Sequence, residues 1–429
     1  MIGILLEEAR RRTTGADLTY KSDETTTLEL RGGRVSSARV ALSHGVSLRV
    51  QAGGRIGIAG ATDDDAQGLL SRALASAAAG EAGQLALPGP SVWPAVGTHV
   101  ARAATATVSD LAAPAQLLRD RLGTERLRVA ASVSRSLGSV QVANSAGLGA
   151  AYDVTTVTLR LEATRMHGDR RLTLLARRAG ADLPPLADLE RWVAQVRQRL
   201  AWAERQVDVP SRVQRVGFLP STMEILLEPV QQALVGRAAL HGASPLARRR
   251  GTRVYSPEFS LVDDPLVDGR PGSRPFDDEG TPCRPLPLIE RGVVENLIYD
   301  LETATRVGTT ATGHARRTTF GKAQAAFSNL VLSPGTASWA GILEAIGDGL
   351  LVEQLASAGS MNLAGGAFSR VALVAWRVEG GEVTGLAPEV TIAGNAHELL
   401  GRIVAIGEEQ VWIGSRAAPT VVLDGVTVY

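Results

Sequence analysis

Apolar and polar positions change period several times along the 429-residue chain, and each change predicts an element. Residues 3 to 12 repeat at helical spacing, with Gly15 placed to close the helix. "TTTLELRGGRVSSARVAL" then alternates, and Gly32-Gly33 between its two runs predicts a hairpin. "VSLRVQAGGRIGIAG" repeats the pattern around Gly53-Gly54. Helical spacing returns over 66 to 80, with Asp63 to Asp65 as its start and Gly80 as its stop. "LALPGPSVWPAVG" has three prolines and no period, which predicts an irregular surface crossing. A helix follows over "VSDLAAPAQLLRDRLG", capped by Ser109 or Asp110, with Pro114 within about its first turn.

Residues 127 to 181 read as four antiparallel strands. A long helix fits 185 to 206, with Leu189, Trp192, Val193, Val196 and Leu200 near one face. "VDVPSR" at 207 to 212 is the natural boundary, giving domains of 1–208 and 209–429. The second half opens with a strand, "VQRVGFLP", and a helix over 221 to 239 that Pro229 must start, kink or split. "LPLIERGVVENLIYDL" predicts a hairpin turning at Arg291-Gly292, and 339 to 356 predicts a helix. Strands follow over 369 to 394, turning at Gly380-Gly381. A short helix, "AHELLGRIVAIG", and a last strand, "TVVLDGVTVY", complete the chain. The expected fold class is α+β: hairpins with helices in the first half, mainly antiparallel β with a few helices in the second. Nothing alternates β and α regularly enough for a doubly wound sheet.

Composition narrows the function classes. The formal net charge is +1, which provides no global field for nucleic acid or an anionic membrane. The cations are nearly all arginine, Lys21 and Lys322 being the only lysines. One cysteine, Cys283, excludes an internal disulfide and any cysteine-rich zinc site, and it suits a reducing cytoplasm. The start "MIGILLEEARRR" lacks a basic leader and a signal-length apolar run, and no apolar run approaches a membrane span. The expected location is the cytoplasm.

Candidate chemistry is sparse. His44, His99, His167, His241, His314 and His397 are too far apart in sequence for a helical metal-binding pair. "GLGA" and "AGGAFS" fit no phosphate-binding loop, and no G-x-S-x-G marks a nucleophilic serine. Arg248, Arg249 and Arg250 form a basic cluster without interleaved aromatics, which favours a solvated turn or a partner-facing rim. The strongest candidate is "FDDEG", residues 276 to 280. On a strand, Asp277 and Glu279 would share a face and could split their pKa values for acid and base work. Asp-Glu-Gly is equally a strand ending in a tight turn, with Gly280 at positive φ.

"GSRPFDDEGTPCRPLPLIERGVVENLIYDLETATRVG" resembles the central block of the TldD/PmbA family. "ELRGGRVSSARVALSHGVSLRVQAGGRIGIAG", "SMNLAGGAFSR", "EVTIAGNAHELLGRIVAIG" and "TVVLDGVTV" resemble other family segments in the family's order. The resemblance spans nearly the whole chain. It implies a bacterial or archaeal peptidase built from TldD and TldE (PmbA) subunits, once called modulators of DNA gyrase. TldD-type subunits carry H-E-x-x-x-H on a helix and a distant cysteine. The matching helix here reads "EILLEPVQQALVGRAALHG", with Glu228-Pro229 where His-Glu would stand and no second histidine at the right distance.

The resemblance therefore implies a TldE/PmbA-like subunit with no catalytic residue, metal ligand or cofactor of its own. It implies a TldD-like partner that carries zinc, and an extended peptide as substrate, with a homodimer as a further possible assembly. Neither nucleic acid nor membrane is expected as a partner. Both halves of the family carry F-D-D-E-G. Phe276, Asp277, Asp278, Glu279 and Gly280, with Asn362, Gly394 and Asn395, are thus expected to be structural or to line the peptide channel. Two alternatives remain at this level: a self-sufficient hydrolase using Asp277, Asp278 or Glu279, and a binding protein that modulates DNA gyrase.

Overall fold

A computed structural model describes every residue except 1, 32–33, 63–64, 125 and 168–169. The turn expected at Gly32-Gly33 and the first acids of the 63–65 cap lie outside the described residues. The first half contains α1 (Ile2–Arg12), β1 (Gly15–Arg31), β2 (Arg34–Ala52), β3 (Arg55–Ala61), α2 (Ala66–Ala78), α3 (Ala101–Ala104) and α4 (Val108–Leu122). It continues with β4 (Leu127–Asn144), β5 (Gly149–His167), β6 (Arg170–Gly180) and α5 (Leu186–Trp202). Its strands form one antiparallel six-stranded sheet in the order β3-β2-β1-β4-β5-β6. Alternation along β1 and β2 sends Leu18, Val46, Leu48 and Val50 to a core with Leu5, Leu69, Leu70 and Ala73 of α1 and α2. The opposite face of the same strands carries Asp17, Thr19, Lys21 and Arg49.

The second half opens with β7 (Arg212–Phe218), α6 (Glu224–Leu234), α7 (Gly236–Leu240), β8 (Leu261–Asp263), β9 (Leu286–Glu290) and β10 (Val293–Val294). Next come α8 (Leu301–Val307), β11 (Ala315–Arg316), β12 (Gln324–Ala325), β13 (Leu330–Leu332), α9 (Trp339–Ile346), β14 (Gly349–Met361) and β15 (Ala367–Glu379). It ends with β16 (Glu382–Leu386), β17 (Val390–Asn395), α10 (Ala396–Leu399), β18 (Ile403–Ile413) and β19 (Arg416–Val428). Its main sheet has eleven strands, and β19, β17, β15, β14 and β7 close on themselves through a β19–β7 pairing. The pairings are mainly antiparallel, with parallel exceptions at β13–β19 and β7–β14. Leu226, Leu227 and Val230 of α6 pack into its core beside Phe218, Leu288 and Val421. The α+β class is as expected.

Several local expectations change. Gly15 opens β1 instead of closing α1, because Thr14 already pairs with Gln51 of β2. Helix α4 is capped by Thr107, whose hydroxyl accepts from the Asp110 N–H while Asp110 reaches back, a capping box that outcompetes Ser109. Pro114 then falls in the second turn. Residues 127 to 181 form three strands, not four: β4 and β5 pair without interruption over their length, so 127–144 is one strand.

Pro229 sits inside α6, and the break comes at Val235, whose extended backbone lets Gly236 donate to the Ile298 carbonyl at 2.9 Å. A side chain on Gly236 would strike the Tyr299 ring at 2.2 Å. The 286–301 hairpin does turn at Arg291-Gly292, both at positive φ, but its second strand stops at Val294. The helix expected over 339–356 ends at Ile346. Gly347 (φ 63°) turns the chain, and the remaining apolar residues become β14, buried between β7 and β15. "AHELLGRIVAIG" is helical only to Leu399, and Ile403 onward pairs with β19.

Candidate functional site

The FDDEG stretch is a tight loop, not a strand, and it is folded around its own first acid. The Asp277 N–H donates to the Thr281 carbonyl at 3.0 Å, and the Asp277 carboxylate accepts from the N–H groups of Glu279, Thr281 and Ala315, each at 2.9 Å. Gly280 stands at φ 81° to close the turn, and a side chain there would run into Leu148. Phe276 packs its ring 5.3 Å from Trp93 and 5.1 Å, edge-on, from Tyr152. The Trp93 indole donates to the Gly280 carbonyl at 3.2 Å. Cys283 is buried beside the loop and donates to the Gly313 carbonyl at 3.1 Å; burial pushes its thiol up to about 12. That is a packing role, not a nucleophile's.

The other two acids reach out of the loop to the polar face of the first sheet. Asp278 pairs with Lys21 at 2.5 Å and accepts from the Arg317 N–H at 2.6 Å. Thr19 donates to the Asp278 carbonyl at 2.9 Å. Glu279 lies 2.9 Å from the Arg49 guanidinium and accepts from the Leu301 N–H at 2.8 Å. Arg49 also pairs with Asp17, its direct cross-strand neighbour, at 2.5 Å, and Arg317 holds both Asp17 oxygens at 3.1 Å. Asp277, Asp278 and Glu279 are 0%, 1% and 5% exposed. The three acids therefore have no open face toward a substrate. Asp278 and Glu279 fasten residues 276–317 to strands more than two hundred positions earlier, while Asp277 holds the loop itself together.

Each carboxyl titrates according to its surroundings. Burial acts to raise Asp17, but Arg317 and Arg49 outweigh it and hold the carboxyl at about 2. Burial likewise opposes ionisation of Asp278, and Lys21 and Arg316 carry the net effect downward. Asp277 is raised, chiefly by burial. Glu279 is pushed up to about 7 by burial, with Arg49 opposing and Asp277 adding to the rise.

A folded pKa above the ordinary glutamate value of 4.5 means that protonated Glu279 favours the folded state. That contribution is complete below the unfolded pKa and is lost as pH rises through the folded one. A Glu279→Gln chain should therefore lose less stability than the unmodified chain between about pH 5 and about pH 7.5. Urea melts at the two pH values test this, and parallel losses would contradict it.

The remaining expected residues form a separate group. The Asn395 side chain accepts from the N–H groups of His397 and Glu398 to cap α10, and its amide donates to the Gly365 carbonyl at 2.7 Å. Asn362 accepts from the Gly365 N–H at 2.9 Å, shaping the 362–366 turn. Gly394 allows Leu399 to approach, since a side chain there would meet it at 2.6 Å. No hydrogen bond or ion pair among the described residues joins this group to FDDEG. In this group His397 is hydrogen-bonded to the Tyr255 hydroxyl at 2.7 Å; His314, which precedes the Ala315 that donates to Asp277, is buried against Asp263 at 3.0 Å. Arg250, of the basic cluster, binds the Glu295 carbonyl at 2.6 Å.

The helix that matters for a metal is α6. Glu228 and Pro229 lie on it, and a cavity of about 380 Å³ above it is lined by Glu228, Gln231, Gln232, Phe327, Ser415 and Arg416. Glu224 and Glu228 stand one turn apart, and Arg416 reaches Glu224 at 3.5 Å. Burial raises the Glu228 carboxyl, and Glu224 raises it further. A zinc site takes three or four nitrogen, sulfur or carboxylate ligands. Two carboxylates facing a guanidinium, with no imidazole or thiol, do not fit one. Among the described residues no group of three or more His, Cys, Asp or Glu is placed to hold a metal ion. No helix is long and apolar enough to cross a membrane among those residues.

Comparison with known proteins agrees with the motif-level resemblance. The model of the PmbA/TldA metallopeptidase C-terminal domain matches residues 211–429, and that of PmbA/TldA metallopeptidase domain 1 matches 16–78. A metalloprotease of Methanothermobacter thermautotrophicus is 29% identical over 170 residues, 40% of this chain and 37% of the relative. The metalloprotease PmbA homologue of Haemophilus influenzae is 27% identical over 193 residues, 45% of this chain and 40% of the relative. The matched part of the chain thus spans about two-fifths of these relatives' length. The crystal structure of TldE from Thermococcus kodakarensis superposes with a TM-score of 0.89 at 24% identity, covering 100% of this chain and 99% of that one. That likeness establishes the shared fold.

Proposed function

The chain belongs to the PmbA/TldD metallopeptidase family, and from that membership we propose that it is the family's metal-free, TldE-like subunit. It pairs with a TldD-like subunit that carries the zinc, and the pair cleaves unfolded or extended peptides in the cytoplasm. The observation that carries this reading is α6. Its Glu228-Pro229 stands where the metal-bearing pattern needs His-Glu, and the cavity above it presents one carboxylate, two amides and Arg416 in place of metal ligands. The burial of Asp277, Asp278 and Glu279 in ion pairs and backbone hydrogen bonds supports a structural part for them. A net charge of +1 weighs against a role on DNA.

Co-expression with an H-E-x-x-x-H homologue tests the proposal. The expected result is a stable complex of the two chains that cleaves an unstructured peptide, while neither chain does so alone. Cleavage by this chain alone, or assembly only with itself, would overturn it.

A further inference from the structure

Lys21 of β1, Val140 of β4 and Tyr152 of β5 stand opposite one another across the first sheet, so they share a face. The FDDEG loop covers that row. Asp278 pairs with Lys21 at 2.5 Å, and Phe276 lies edge-on to the Tyr152 ring at 5.1 Å. Two arginines reach the same place from the second half. Arg274, just before the loop, is 0% exposed. Its Nη2 donates to the Ala326 carbonyl at 3.3 Å, but its Nε and Nη1 are buried without a partner. Arg316 of β11 stands between Ala315 and Arg317, whose N–H groups hold Asp277 and Asp278. The Arg316 guanidinium makes no hydrogen bond or ion pair among the described residues, and burial and Arg274 both hold it below the ordinary arginine range. The Tyr152 hydroxyl also has no hydrogen-bond partner among those residues, and both arginines act on it.

A buried charge is normally paired. Here the nearby carboxylates are committed elsewhere. Asp277 accepts from three backbone N–H groups, and the Asp278 Oδ2 takes Lys21 and the Arg317 N–H. Arg49, Arg317, Asp17 and Glu279 pair among themselves. Lys21, Arg274 and Arg316 thus bring three positive charges against, at most, the two of Asp277 and Asp278. The missing component is an anion. Donors on two guanidiniums and a phenol outnumber the two oxygens of a planar carboxylate and suit a tetrahedral oxyanion. The Asp278 Oδ1 is buried without a donor. An acceptor in a donor-lined site favours an oxyanion that still carries a proton, which phosphate does at neutral pH and sulfate does not. Arg274 closes the back, and the Lys21 side chain, 36% exposed, gives the way in. That admits a small ion.

We infer that this chain binds one inorganic phosphate between the FDDEG loop and the first sheet. Arg274, Arg316 and the Tyr152 hydroxyl donate to it, Lys21 adds charge, and the Asp278 Oδ1 accepts from its P–OH. The ion ties β1 and β5 to residues 274–316, so its binding strengthens the junction between the two halves.

The test uses the full chain alone, dialysed free of phosphate and sulfate. Equilibrium dialysis with labelled inorganic phosphate should show saturable binding of one ion per chain. Sulfate should compete at least about 10-fold more weakly, having no proton to give Asp278. Arg316→Gln should weaken phosphate binding at least about 10-fold, the loss of a charge-assisted hydrogen bond. Arg248→Gln, in the exposed basic cluster, should leave it unchanged. Arg274→Gln should abolish it; if that chain does not fold, Arg316→Gln decides. Phosphate should raise the melting temperature relative to chloride at equal ionic strength, and should not do so in Arg316→Gln. Unsaturable binding, equal binding by the Arg316 and Arg248 variants, or a sulfate affinity equal to that of phosphate overturns the inference. Tighter binding of O-phosphoserine overturns the assignment to the free ion. No peptide or second subunit enters this test, so its outcome is independent of the proposed function.

Discussion

Asp17→Ala should destabilise the chain by about 3–5 kcal/mol, a large part of a typical domain's stability. Asp17 is buried between two guanidiniums, with Arg49 at 2.5 Å and Arg317 at 3.1 Å. Removing it leaves two arginines, both nearly inaccessible to water, facing each other with only Glu279 beside them. The loss arises mainly from those uncompensated buried charges rather than from the lost attraction. Because β1 supplies Asp17 and the segment after β11 supplies Arg317, the damage falls where the two halves meet. The sign of the pH effect follows from the same geometry. A carboxyl held at about 2 contributes stability above the ordinary aspartate value of 3.8, and that contribution fades as pH falls through the folded value. Urea titration should show a clear drop in midpoint for Asp17→Ala, with the difference from the unmodified chain shrinking in strong acid. A loss below about 1 kcal/mol, the range of an exposed pair, would mean that the network does not hold the halves together.

Phe276→Ala should cost about 3–5 kcal/mol as well, by a different mechanism. The ring fills a small cluster with Val142 and Leu148, flanked by Trp93 and Tyr152. These residues come from two segments, the β4–β5 hairpin and the irregular 83–100 crossing, so the void would have both around it. Each is tied elsewhere: Trp93 to Gly280, and Asn144 to the Pro88 carbonyl at 2.7 Å. The site cannot collapse cheaply, which places it at the upper end of large-to-small costs. Phe276→Leu should recover most of the loss by retaining volume. Equal losses for Ala and Leu would show that ring stacking, not filled space, sets the energy.

Much of the fold was legible because its signals are local. Gly53-Gly54, Arg291-Gly292 and Gly380-Gly381 turn hairpins, and all six residues stand at positive φ. The Leu189–Val196 stripe of α5 is buried as its spacing implies. The errors came where a local signal met a distant partner. An apolar run after Ile346 reads as helix until β7 and β15 are present to bury it as a strand. Val235 has helical neighbours on both sides, yet the Ile298 backbone captures it. The candidate site was half legible. Gly280 and the turn around Asp277 could be read from Asp-Glu-Gly. The partners of Asp278 and Glu279 could not, since Lys21 and Arg49 lie more than two hundred residues away. A faint signal did exist: Asp17, Thr19 and Lys21 put polar residues at every second position beside a run of apolar ones, marking a buried but polar sheet face.

The absence at α6 was the most legible feature of all, because a helix one turn long suffices to show that His-Glu is missing. It leads to a direct measurement. The chain is purified alone, incubated with excess zinc, desalted and analysed for bound metal; the complex with an H-E-x-x-x-H subunit is treated in the same way. The expected result is no retained zinc in the chain alone and retained zinc in the complex that disappears when the partner's motif histidines are replaced. Stoichiometric zinc held by this chain alone would contradict the assignment of a metal-free subunit.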